Sequence, residues 1–235
     1  MKNSQKIGFL GALLLIVSCS TKKDAFLNRN YNALTTQYNI LYNGGVAFNE
    51  GLQEINASYE DDFFELLPIE PLTFKNKKFR LPKLSSSSSN KPGKGFQESP
   101  EQEESLTPFD IAEQKAVKAI QKHSMNIYGK ERNKKIDDAY LLLGKSRYYT
   151  ERFIPAIDAY NYIIANYPNA SLINETKIWR AKAHIRIENE ELAIETLEIL
   201  LRKPELPDFI REEANTTLAM AFSKADTIEL VRKYL

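Results

Sequence analysis

Between residues 137 and 170 the chain reads Asp137-Asp-Ala-Tyr140-Leu-Leu-Leu143-Gly144-Lys-Ser-Arg147-Tyr148-Tyr149, then Pro155-Ala156 and Tyr160, and closes on Pro168-Asn-Ala170. Apolar and aromatic residues recur at helical spacing on both sides of residues 150–152, so two helices joined by a tight turn are expected. Gly144 and Ala156 are small where the paired helices must approach closely, Leu143 lies beside the glycine, and Tyr140 and Tyr160 fill the adjoining space. Pro155 falls near the start of the second helix, where its missing amide proton costs little, and Pro168 stops that helix. A bulky residue, Leu-Gly, a small residue, an aromatic and a late proline at these offsets make one helical hairpin of about 34 residues.

A second copy follows over residues 174–207, with Ala181 at the glycine position, Ala193 at the small position, Leu197 at the aromatic one and Pro204 near the stop. Its frame is slightly longer, and the extra length fits in the turn around Ala170 to Asn174. A partial third unit over residues 208–235 has a first helix from Phe209 to Phe222, in which Leu218-Ala219 and Phe222 repeat the motif. No polar capping helix follows it, so the sequence reads as truncated or as meeting a partner at that end. Two consecutive copies and a half form the tetratricopeptide pattern. The expected fold is all-α, an α-solenoid of tetratricopeptide-type hairpins within residues 109–235, with a plain helical bundle as the alternative.

Upstream, residues 19–67 carry apolar positions at helical spacing: Phe26, Leu27, Leu34, Tyr38, Leu41, Tyr42, Val46, Phe48, Leu52 and Ile55. Asn43-Gly44-Gly45 interrupts them, which predicts an amino-terminal helical hairpin turning there, with one long helix as the alternative. Residues 68–108 hold six of the ten prolines and the run Ser85 to Ser89, too little apolar content to offset the entropy of ordering. A disordered linker is expected, and nothing in its sequence supports a binding role. Thr107 or Asp110 then caps a helix whose inner face uses Ile111, Ala112, Val117, Ala119 and Ile120.

Residues 1–18 have the layout of a secretion signal, with Lys2 and Lys6, an apolar run from Ile7 to Val17, and Ser18 before Cys19. The run is shorter than the ~20 residues a membrane-spanning helix needs. Ile16-Val17-Ser18-Cys19 resembles the bacterial lipobox, which implies cleavage before Cys19 and acylation of its thiol. Cys19 is the only cysteine, so the chain forms no internal disulfide. Several acyl chains, at ~0.8 kcal/mol per buried methylene, would hold such a protein on a membrane. Similarity to other bacterial lipoproteins implies, from Ser20 after the cysteine, the outer membrane, and from the non-acidic Lys22-Lys23-Asp24 the periplasmic face. The formal charge is +1, part of it carried by Lys2 and Lys6 of the leader, which argues against a nucleic-acid partner.

Candidate chemistry is sparse. His123 and His184 are the only histidines, too few for a zinc site or a nucleophile triad, and both read as structural. Asp137-Asp138 is explained by a helix start with Asp137 as cap, in preference to paired catalytic carboxylates. No cofactor, metal or small-molecule substrate is expected. Aromatic residues on the concave face of a solenoid anchor partner peptides, and Arg147, Tyr148 and Trp179 are the candidates for exposed partner contacts. Asp226-Thr227-Ile228 resembles a periplasmic O-glycosylation acceptor, against the simpler reading of a helix start.

A closer resemblance is carried by four segments: Cys19-Ser-Thr-Lys-Lys-Asp-Ala-Phe-Leu-Asn-Arg-Asn-Tyr-Asn-Ala-Leu-Thr, Tyr38-Asn-Ile-Leu-Tyr-Asn-Gly, Ala119-Ile-Gln-Lys-His-Ser-Met-Asn-Ile, and Ile136-Asp-Asp-Ala-Tyr-Leu-Leu-Leu-Gly-Lys-Ser-Arg-Tyr-Tyr. Together they resemble the PorW/SprE-type tetratricopeptide lipoproteins of the Bacteroidetes type IX secretion and gliding-motility machinery. The resemblance implies a non-enzymatic scaffold on the periplasmic side of the outer membrane that connects membrane-anchored subunits of that machinery. It also implies that longer relatives continue beyond Leu235, and it brings no catalytic motif. The alternative is a glycan-binding nutrient-uptake lipoprotein of the outer membrane, which would need a loop-built aromatic pocket outside the repeats. An enzyme would need a cleft with convergent titratable groups, for which the sequence offers no constellation.

Overall fold

The computed structural model describes residues 20–64, 70–72 and 106–225. Cys19, residues 73–105 of the linker and residues 226–235, with the expectations placed on them, lie outside the described residues. In chain order the elements are α1 (Phe26–Thr35), a π-helical segment (Thr36–Leu41), α2 (Tyr42–Ser58) and α3 (Pro108–His123), then strands β1 (Asn126–Ile127) and β2 (Lys130–Glu131). The repeats follow as α4 (Ile136–Tyr149), α5 (Phe153–Asn166), α6 (Ile173–Arg186), α7 (Glu190–Leu201) and α8 (Asp208–Lys224). From α2 onward each helix packs chiefly on its sequence neighbours, and α6 also touches α8. The architecture is an all-α helical-hairpin solenoid, in which each hairpin buries its apolar face against the next.

Within the first hairpin, α4 and α5 meet at Gly144, where a Cβ would stand 2.8 Å from Cδ1 and Cζ of Tyr160. The glycine is required by close approach, and the fully buried Tyr160 and Ala156 fill the seam. In the second hairpin Ala181, Ala193 and Leu197 are buried at the equivalent places. Both hairpins turn the same way: Glu151 (φ 62) and Glu188 (φ 60) take the left-handed conformation just past α4 and α6. Around them Arg152 N donates to Arg147 O at 2.9 Å and Asn189 N to His184 O at 3.0 Å, the outer bond of a Schellman cap. The second helix ends at Asn166, before Pro168, and α3 opens on a capping box in which Thr107 Oγ1 accepts from Asp110 N and Asp110 Oδ2 from Thr107 N.

The amino-terminal hairpin expected at Asn43-Gly44 does not form: α1, the π segment and α2 run as one continuous helix. Gly44 faces inward, where a Cβ would meet Leu142 Cδ2 at 2.7 Å and Lys115 Cβ at 3.1 Å, so the glycine serves packing and makes no turn. The first half of this helix is also turned the opposite way from the apolar pattern. Asn28, Asn32 and Thr36 are buried, whereas Phe26, Leu27, Tyr31, Leu34, Tyr38 and Tyr42 are exposed. A polar network accounts for the orientation. Asn133 Nδ2 donates to Thr36 Oγ1 at 3.0 Å and to His123 O at 2.9 Å, and His123 Nδ1 lies 2.9 Å from Asn32 Oδ1. Thr36 Oγ1 also donates back to Asn32 O at 2.7 Å, and this side-chain insertion into the helical ladder sits where the helix widens into its π segment.

Apolar burial is divided between two main clusters. The first is aromatic and joins α2, α3, α4 and α6: Phe109 stacks on Tyr149 with centroids 4.9 Å apart, Phe48 meets both rings edge-on, and Tyr148 packs edge-on against Trp179 at 5.4 Å. The second is aliphatic, built from Ile178, Ile185, Leu197, Leu200, Ile210 and Leu218 of α6, α7 and α8 among others. Helix α6 faces both, presenting Trp179 to one and Ile178 to the other.

Candidate functional site

The last turn of α4 carries Tyr148 and Tyr149, and α6 presents Trp179, Lys182 and Arg186 at i, i+3 and i+7, so these side chains converge on the inner helices of the two hairpins. Into their midst comes Glu70, from the stretch expected to be disordered linker. That expectation is corrected for Glu70–Leu72, which are placed against the repeats and whose Leu72 is buried in the aromatic cluster. Tyr148 Oη donates to Glu70 Oε2 at 2.9 Å and Tyr149 Oη to Glu70 Oε1 at 2.8 Å. Lys182 Nζ stands 3.4 Å from Glu70 Oε1 and 3.1 Å from Glu213 Oε1 of α8, bridging the two carboxylates. Arg186 donates from Nε to Tyr148 Oη at 2.9 Å and from Nη2 to the main-chain carbonyl of Glu70 at 2.8 Å.

Each donor is held in place. The phenols of Tyr148 and Tyr149 are pushed far above their ordinary value, first by burial and then by the Glu70 charge, and so remain protonated donors. Lys182 Nζ lies 4.3 Å from the Trp179 ring centroid, so the indole face shares the ammonium. Beside Glu70 a depression of about 150 Å³ is lined by Lys182, Glu213, Thr216, Thr217 and Met220. The arrangement reads one carboxylate, one adjacent main-chain carbonyl and one apolar side chain two residues on.

The three residues expected to face a partner behave differently. Tyr148 is fully buried and Trp179 nearly so, and neither is an exposed anchor; they form the wall of the clamp. Arg147 is engaged within the fold, its Nε 3.0 Å from Glu113 Oε1 and its Nη1 donating to Pro155 O at 3.0 Å, which ties α3 to the first hairpin. Asp137 does not cap α4, which begins at Ile136. Its Oδ1 accepts from Asp138 N at 3.0 Å, while Asn133 Oδ1 holds the preceding turn through Lys135 N. Burial, then the Asp138 charge, raises the Asp137 carboxyl. His184 is buried with Nδ1 lacking a hydrogen-bond partner, and His123 belongs to the network beneath α1.

Sequence reasoning missed Glu70, Lys182, Arg186 and Tyr149. Signals existed: Leu66-Leu-Pro-Ile-Glu70-Pro-Leu72 is an apolar island in an otherwise polar stretch, and Trp179, Lys182 and Arg186 share one helical stripe. The hairpin β1–β2, turning at Tyr128 (φ 53) and Gly129 (φ 75), was likewise unanticipated. Glu131 organises that loop by accepting from Ser124 Oγ, Met125 N, Arg132 N and Asn133 N. Among the described residues no group of three or more His, Cys, Asp or Glu side chains is placed to hold a metal, and no helix is long and apolar enough to cross a membrane. No protein-family model matches the chain, and no curated protein matches it. The class defined by the fold and the clamp is a helical-repeat interaction fold.

Proposed function

We propose that this protein is a non-enzymatic scaffold of the type IX secretion and gliding-motility machinery, lipid-anchored through Cys19 in the outer membrane and facing the periplasm, whose repeats connect other subunits. One observation carries the interaction role: α4 and α6 of the two hairpins hold the segment Glu70–Leu72 by side chain and main chain together. The choice of machinery is supported by the four resembling segments, which lie in α1, the π segment, α3 and α4 and their flanks. Chemical crosslinking in native envelopes, affinity capture of the full-length lipoprotein and mass spectrometry test the reading. Ring and translocon components of the secretion system are the expected companions. A nutrient transporter with bound glycan, and no secretion subunit, would overturn it.

A further inference from the structure

We infer that the clamp formed by Tyr148, Tyr149, Lys182 and Arg186 is a binding site for an acidic peptide segment of another protein, and that Glu70–Leu72 of this chain occupies it as an internal competitor. The inference rests on the repeat fold and not on the secretion assignment, so the two fail separately.

Glu70 is the ligand by geometry. Its carboxylate accepts from two phenols and faces two cations, and its carbonyl accepts from Arg186. The Glu70 carboxylate enters the polar clamp, and Leu72 is buried in the apolar cluster that holds Tyr148, Tyr149 and Trp179. Pro71 between them donates no amide hydrogen, so the segment is held at this point through the Glu70 carbonyl and side chain alone. The rings of Tyr148 and Tyr149 belong to the aromatic core, while the close helix–helix contact of the first hairpin is made at Gly144 and Tyr160. The polar ends of the four clamp residues converge on a segment reached from far along the chain, and nothing in that recognition requires the segment to belong to the same molecule.

A tethered occupant acts at an effective concentration on the order of millimolar, so it masks the site from a separate ligand of modest affinity and yields to a stronger or locally concentrated one. The ligand class is a peptide stretch with a glutamate and an apolar residue two positions later. The site would therefore open only when such a partner displaces Glu70.

The test is calorimetric titration of the full mature chain with a synthetic peptide of residues 66–75. Wild type should bind it weakly, and Glu70→Ala at least tenfold more tightly. Replacing the peptide's glutamate by glutamine, or adding Lys182→Met to the Glu70→Ala chain, should each cost at least tenfold. If Glu70→Ala loses helicity, the near-isosteric Glu70→Gln replaces it with the same expected order of affinities. Equal affinity for wild type and the Glu70 variant, or indifference to the peptide's glutamate, would overturn the inference.

Discussion

Alanine at Gly144 would set a methyl against the buried Tyr160 ring, whereas alanine at Gly45 would meet nothing within 4 Å. Gly144→Ala should therefore cost about 1–3 kcal/mol, and Gly144→Leu more, through forced separation of α4 and α5. Gly45→Ala should gain up to about 1 kcal/mol from helix propensity alone. Urea unfolding followed by circular dichroism measures both, and equal shifts would refute the close-approach role. The histidines give a pH dependence. Burial first, and then Arg180 for His184 or Lys118 for His123, holds each imidazole below its ordinary 6.5. The unfolded chain then binds protons more readily than the folded one, so their stability contribution is full above pH 6.5 and is lost as pH falls below it. His184→Gln should flatten the fall in unfolding free energy between pH 7.5 and 5.5. At this scale Gly144 was legible because its place in the Leu-Gly motif named a point of close approach, and the ring it meets is that of Tyr160. Glu70 was not, because a single carboxylate between Ile69 and Pro71 carries no periodicity.

Among the elements, α4 to α8 follow their apolar rhythm and their Ala, Gly and Pro punctuation, and were readable. Helix α1 was misread in orientation because pattern alone assigns the apolar side inward, and here Asn32, Thr36, His123 and Asn133 satisfy one another beneath it. Leu34→Ser and Tyr38→Ser, on the exposed side, should leave stability within about 0.5 kcal/mol. Asn32→Leu should cost about 1–3 kcal/mol by leaving buried polar partners unpaired. The reverse ranking in denaturant melts would sink this account of the helix. The two Schellman caps offer a further check: a glutamate holds the left-handed position usually given to glycine. Glu188→Gly should therefore stabilise the second hairpin by up to about 1 kcal/mol.

Across the whole molecule the aromatic cluster joins the amino-terminal helix to the repeats, a union the sequence hid by placing a long polar stretch between them. Phe109, fully buried, touches the structure on both sides through Phe48 and Tyr149. Phe109→Ala should cost about 3–5 kcal/mol. It should also raise amide exchange in α2 and α4 together; loss of protection confined to α2 would show that the two parts fold independently.

Trp179 is the only tryptophan in the chain, and its ring lies beneath Lys182 and edge-on to Tyr148. Indole emission shifts with the local electric field, and the ring here lies under two ammoniums, Lys145 at 5.1 Å and Lys182 at 4.3 Å, the second with its charge partly cancelled by Glu70. Displacement of Glu70 would remove that partial cancellation beside the ring, so the emission maximum of Trp179 should shift between a filled and an empty clamp, readable without any dye.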